Sequence, residues 1–341
     1  MQDLSKSVAE PELSNSMINS FVSQDVIPTS LNHVEETDAK AIEYCCSGEI
    51  LASAQKGVHG TIRLWQSSNY GLEQIGDIDT MQQITMMRAS PRSEMLAVCD
   101  THSGLTLYNV KSRKRVRKLY HSAKHINCIA FSNMGSFASA SEDSSIKVWS
   151  TTSLGDQFTQ LTSSRIPTCI SFPNADEFMA TGHKEGKVKV WDLRTRQVQQ
   201  ELSTSSSCQV TSIVCASLAN THIYACTKDA KLSKLDQRMP NEPVRVYEDE
   251  RFSYASKSAR LSLSTHQRYC SVLSENDKIM VFDLQQGHHK VLEAKSGSIS
   301  DSISAQRAPQ TNIVDCQWQP SCNSISALGE NGSILTWVVP S

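Results

Sequence analysis

Four short stretches of this chain carry residue types that do chemistry or recognition. The densest is Lys111-Ser112-Arg113-Lys114-Arg115-Val116-Arg117-Lys118, in which six of eight residues are cationic. Such a run offers contacts to an acidic protein patch or to phosphates, or serves as a solvated, charge-protected edge strand. Aromatic residues do not interleave it, so base stacking on a single-stranded nucleic acid is disfavoured. The second stretch is Trp191-Asp192-Leu193-Arg194, where a guanidinium can form a planar two-pronged contact. The third is Arg251-Phe252-Ser253-Tyr254, which groups the residue types that dominate interface energetics; alternatively its aromatics pack beneath their own loop. The fourth is Ala294–Thr311, Ser-rich and read as a mobile loop.

Catalytic signatures are missing. The chain contains no G-x-G-x-x-G, no G-x-x-x-x-G-K, no G-x-S-x-G and no H-E-x-x-H. Eleven cysteines include no C-x-x-C pair, and Cys45 and Cys46 are adjacent. They read as reduced thiols, and Cys128 and Cys169, in INCIAF and PTCISF, as small core residues. We therefore expect no catalytic residues, no metal, no cofactor and no small-molecule substrate. His183 is read as a surface residue of a turn.

The composition sets the frame for these stretches. The 341 residues are 39% hydrophobic and 20% charged, with a net charge of −2. This is enough apolar chain for a large core, and the balance disfavours a dedicated nucleic-acid binder. No run approaches the roughly 18 apolar residues of a spanning helix, and the polar N-terminus has no apolar signal core. The expected location is cytoplasmic or nuclear, without a membrane partner.

The elements that position the four stretches come from an internal repeat. Short alternating strands end in Trp65, Tyr108, Trp149, Trp191, Leu235, Phe282 and Trp337, at spacings of 43, 41, 42, 44, 47 and 55 residues. Alternation of apolar and polar residues in IKVW and VKVW is the period of a strand. The preceding turns use Asp143, Glu185-Gly186, Asp229, Asn276-Asp277 and Asn331-Gly332, residue types that close tight hairpins. No segment keeps a helical period, so the chain is all-β. A period of about 40–45 residues is that of four-stranded propeller blades.

These copies resemble the WD-repeat, or β-transducin repeat, family. Residues 126–150, INCIAFSNMGSFASASEDSSIKVWS, are close to a full consensus repeat, and 170–194 form a second. The resemblance implies a single seven-bladed β-propeller spanning residues 20–341, preceded by a disordered tail over 1–19. It implies a non-catalytic scaffold that binds other proteins within a multiprotein complex. Its characteristic His–Ser–Trp–Asp network is expected in part at the third copy, around Asp143 and Trp149, and packing replaces it elsewhere. The fifth copy, ending at Leu235, departs furthest from the pattern. The seventh copy leaves no sequence for an outer strand, so a segment within 20–36 is expected to supply it and close the ring.

The resemblance also bears on partners. Trp191-Asp192-Leu193-Arg194 is similar to the box with which some WD-repeat proteins dock on the damaged-DNA-binding adaptor of cullin-RING ubiquitin ligases, and Leu235-Asp236-Gln237-Arg238 is a weaker echo. The second and third copies are loosely similar to WD-repeat adaptors that recruit γ-tubulin at spindles and centrosomes. The expected partner-binding residues are Asp192, Arg194, Arg251, Phe252 and Tyr254, with Arg113, Lys114, Arg115 and Arg117 of the basic run. Alternation places Arg113, Arg115 and Arg117 on one face of an outer strand.

Overall fold

Alternating apolar residues and tight polar turns fold into seven four-stranded antiparallel sheets, each a blade. The computed structural model describes residues 30–32, 39–55, 60–68, 71–122, 124–152, 157–173, 177–216, 222–253, 260–275, 278–293, 312–321 and 323–338. The tail 1–19, the loop 294–311 and Tyr254 lie outside the described residues. Blade 1 runs from Ala39–Cys45 at the centre to Gly71–Asp79 at the rim. Blades 2 to 6 follow in chain order, with inner strands Ile84–Ala89, Ile126–Phe131, Pro167–Ser171, Val210–Cys215 and Ser262–Leu263. Blade 7 takes three strands from Ile313–Trp318, Ser324–Gly329 and Ile334–Val338. Its outer strand is Ser30–Asn32, paired antiparallel with Leu31 opposite Leu335. The expected closure therefore forms, and the weakest copy still builds a complete blade.

The core lies between neighbouring blades. Leu105 and Leu107 of blade 2 pack against Phe137 and Trp149 of blade 3, all buried. In five blades the described turn before the third strand holds one residue at positive φ: Ser103, Ser144, Gly186, Ala230 and Gly332. At Gly186 a Cβ would lie 1.9 Å from the Ser206 carbonyl oxygen, so only glycine fits there.

The third copy holds the expected network. Trp149 Nε1–H donates to Ser139 Oγ at 2.9 Å, Ser139 lies 2.6 Å from His121 Nδ1, His121 Nε2 lies 2.8 Å from Ser145 Oγ, and Ser145 donates to Asp143 at 2.6 Å. One direction of donation satisfies every member and puts the histidine proton on Nε2. Among the described residues, blade 1 has the Trp65 to Ser53 bond of this network. Blade 4 rewires the network: Trp191 donates to Thr181, whose Oγ1 lies 2.9 Å from His183 Nε2. His183 is thus fully buried, which corrects its reading as a surface turn residue. It ends the second strand, Phe178–His183, and the turn begins one residue later.

Successive blades are also latched at the channel. Every inner strand except that of blade 6 shows a register shift near its start, at Ala39/Ala41, Ile84/Met86, Ile126/Cys128, Pro167/Cys169, Val210/Ser212 and Ile313/Asp315. The side chains that follow point inward and accept backbone N–H groups from the next blade. Cys128 accepts from Ile170, Ser171 from Cys215, Ser212 from Leu261, Ser262 from Trp318, and Glu43 from Ala89. The seam between blades 7 and 1 has two such bonds, Ile42 to Asp315 and Tyr44 to Gln317. Blade 2 places Met86 and Arg88 at these positions, and a guanidinium accepts nothing.

Candidate interaction surfaces and the central channel

Antiparallel order puts two kinds of turn on each face. One face carries the blade-to-blade crossings; the other carries the turns between third and outer strands. Arg194 and Arg238 both sit in the latter turns, in adjacent blades 4 and 5. Asp192 Oδ1 accepts the N–H groups of Arg194 and Thr195 at 2.8 and 3.2 Å. Burial opposes the charge on Asp192, but these bonds and the guanidinium outweigh it and hold the carboxyl below the usual range. Asp236 accepts the Arg238 N–H at 2.9 Å and is gripped by the Arg238 guanidinium at 2.6 Å, which holds it down to about 2. Asp283 repeats the device in blade 6, accepting from Gln285 and Gln286, and Asn109 does so in blade 2, accepting from Ser112. In these four blades the residue after the strand-end side chain is therefore a turn cap, and Asp192 is engaged inside its own turn. Arg194 and Arg238 project from these caps with side chains 65% and 73% exposed. Blade 4's outer strand braces the second turn, through Gln200 to Gln237 O and Ser203 N–H to Pro240 O.

The basic run is the outer strand of blade 2, Lys114–Tyr120. Its cations do not share one face. Arg117 pairs with Leu107 and Arg115 with Tyr108, so the ladder skips Val116 and the bulge flips the strand. Arg117 donates to Ser150 O of blade 3 at 2.7 Å, whereas Arg113, at positive φ in the preceding turn, donates to Ile75 O of blade 1. Arg113 and Arg117 bind neighbouring blades on opposite sides, while Lys114, Arg115, Val116 and Lys118 stay exposed.

The blade 5 to blade 6 connection is pinned to the ring. Arg251 grips Asp249 at 3.1 Å, and both contact His289 of blade 6's outer strand. Phe252 is buried, 5.7 Å from the Phe282 ring centroid. It belongs to the core and is withdrawn from the contact set; Arg251 remains exposed.

Sequence reasoning missed the charges in the channel. The lumen forms a cavity of about 410 Å³ that reaches the exposed Pro91 and Pro320 on the face carrying Arg194. Into it face Glu43, Arg88, Arg260 and Asp315, from four consecutive blades or their entries. Arg260 grips Glu43 through both carboxylate oxygens, the second at 3.2 Å, and Arg88 lies 3.9 Å from Glu43. Burial pushes Asp315 up against the pull of Arg260 and Arg88. Burial also opposes the Arg260 charge, but Glu43 and Asp315 outweigh it and raise that guanidinium. Among the described residues, no group of three or more His, Cys, Asp or Glu side chains is placed to hold a metal, and ten described cysteines are free.

A family model described as the WDR19 first beta-propeller matches residues 31–188. The chain is 20% identical over 298 residues to protein tipD of Dictyostelium discoideum, and 21% identical over 292 residues to a WD repeat-containing protein 91 homolog of the same organism. The chain is a seven-bladed β-propeller similar to WD-repeat proteins. These alignments take in 86% and 83% of the chain but only 46% and 36% of the two relatives, so the chain spans less than half the length of the curated relatives it matches. The crystal structure of the Myceliophteria thermophila Cps50 (Swd1) β-propeller domain superposes with a TM-score of 0.74 at 16% identity, covering 92% of this chain and 99% of that one. That likeness is one of fold. Among the described residues no helix is long and apolar enough to cross a membrane.

Proposed function

We propose that this WD-repeat propeller is a non-catalytic platform that holds protein partners together in a multiprotein complex. It docks them through the face that carries Arg194 and Arg238. The observation that carries this reading is the pair of guanidiniums set on Asp-capped turns of adjacent blades, exposed and already oriented. Little rotamer entropy is then lost on binding, which favours acidic partners on this face. The exposed Lys114, Arg115 and Lys118 form a second, rim-facing contact. The test is affinity purification of the protein from its native source beside two variants, Arg194→Ala/Arg238→Ala and Lys114→Gln/Arg115→Gln/Lys118→Gln. We expect stoichiometric partners whose recovery falls at least about tenfold in the first variant, the scale of a lost charge-assisted contact. Recovery of the protein alone, or of an unchanged partner set, refutes the reading.

The exposure of Arg194 beside Trp191-Asp192 favours one more specific version, a substrate receptor of a cullin-RING ubiquitin ligase. Purified damaged-DNA-binding adaptor should then bind the wild-type chain and lose Arg194→Ala. The same view takes residues 20–341 as the folded unit, and limited proteolysis should trim the chain to a stable product starting near residue 20.

A further inference from the structure

Arg88 stands out because its charge is poorly matched. It lies in the lumen with a side chain 20% exposed. Its hydrogen bond goes to the Met87 carbonyl oxygen at 2.8 Å, and its nearest carboxylate, Glu43, is 3.9 Å away. That carboxylate is already taken: Arg260 holds it through two bonds, and Ala89 N–H donates to it. Asp315, the other acid in the cluster, is occupied by the N–H groups of Ile42 and Cys316. Most of the Arg88 fork is thus left facing a cavity of about 410 Å³, within the size range of small-molecule sites. Burial draws the Arg88 guanidinium down, and the like charge of Arg260 adds to it. A largely buried cation without a close anion is costly, and Lys40 of blade 1 lines the same cavity.

We propose that the central channel is a binding site for a small anion, whose carboxylate or phosphate group pairs with the free side of the Arg88 guanidinium. The anion enters past Pro91 and Pro320. There it gives Arg88 the close anionic partner that Glu43, held by Arg260, does not supply. The site is separate from the partner-docking turns, since Arg194 and Arg238 do not line the cavity.

The test titrates the full chain with inorganic phosphate and with citrate at fixed pH and constant ionic strength, with sodium chloride as the control. Thermal shift and calorimetry read the binding. We expect at least one of the two to raise the Tm saturably and chloride not to do so; which one does tells phosphate from carboxylate. Arg88→Gln should weaken the apparent affinity roughly tenfold or more. Arg88→Lys, which keeps the charge but loses the fork, should fall between. The rim variant Lys114→Gln/Arg115→Gln/Lys118→Gln should bind as wild type. The proposal is overturned by no saturable shift with either probe, by a shift that survives Arg88→Gln, or by one lost in the rim variant. If Arg88→Gln does not fold, Arg88→Lys decides alone, and an unchanged affinity overturns the proposal.

Discussion

His121 shows how a single buried side chain sets a pH limit. Burial draws its pKa from the ordinary value down to about 4, with the charge of Lys147 helping, against the pull of Asp143 and of Ser145. The unfolded chain protonates this histidine near pH 6.5 and the folded one near 4. The stability it contributes is therefore complete above about pH 6.5 and is lost as pH falls toward 4. We expect the Tm to fall across that window and the fall to flatten in His121→Gln; a slope unchanged by the substitution contradicts the assignment. His183 is drawn down to about 4 as well, by burial and then by Lys189, so it adds to the same window. Asp236 works at the other end of the scale. Asp236→Ala removes the acceptor of one backbone N–H and of the Arg238 fork, and should cost about 1–3 kcal/mol in urea unfolding, while Asp236→Asn keeps the backbone bond and should cost less.

Strands are where the sequence was most and least legible. Trp65, Trp149, Trp191 and Trp337 marked the third strand of four blades because a large side chain is needed at each blade interface and the period is fixed. Polar turns before them fixed the hairpins. The bulge at Val116 left no trace, since KRVRK alternates as an unbroken strand does, and so the split of Arg115 from Arg117 was invisible. His183 sits before Lys184-Glu185-Gly186, and its turn-like neighbours concealed a strand end. The outer strand of blade 7 was anticipated within 20–36 because an unpaired edge is a liability. Deleting residues 1–36 should lower the Tm and raise the aggregated fraction in size-exclusion chromatography; an unchanged Tm would disprove the closure's contribution.

At the scale of the ring, the lumen charges were the part that no local pattern exposed. Asp315 in IVDCQW and Glu43 in AIEYC are each one polar residue at an alternating position. Only curvature brings Glu43 to Arg260, 217 residues away. This pair ties the start of blade 6 to blade 1 across blade 7, so its loss should be felt by the whole fold. Glu43→Gln leaves Arg260 buried without its partner and should cost about 3–5 kcal/mol. The double variant Glu43→Gln/Arg260→Gln should recover part of that, and a double-mutant cycle with no coupling would contradict the pairing.

The three-residue strand Ser30–Asn32 also sets the order of events at birth. Leu31 leaves the ribosome about 300 residues before its partner Leu335, a wait of roughly 15 to 60 s at the usual pace of synthesis. Six blades can assemble in that interval from hairpins alone, while Ser30–Asn32 waits for the other three strands of blade 7 and the first blade's inner strand has no neighbour on one side. The seam is thus the last joint to form. Until it does, the nascent chain exposes one open edge and one uncovered wall of the lumen, and these are where a chaperone, or a second nascent copy, would meet it.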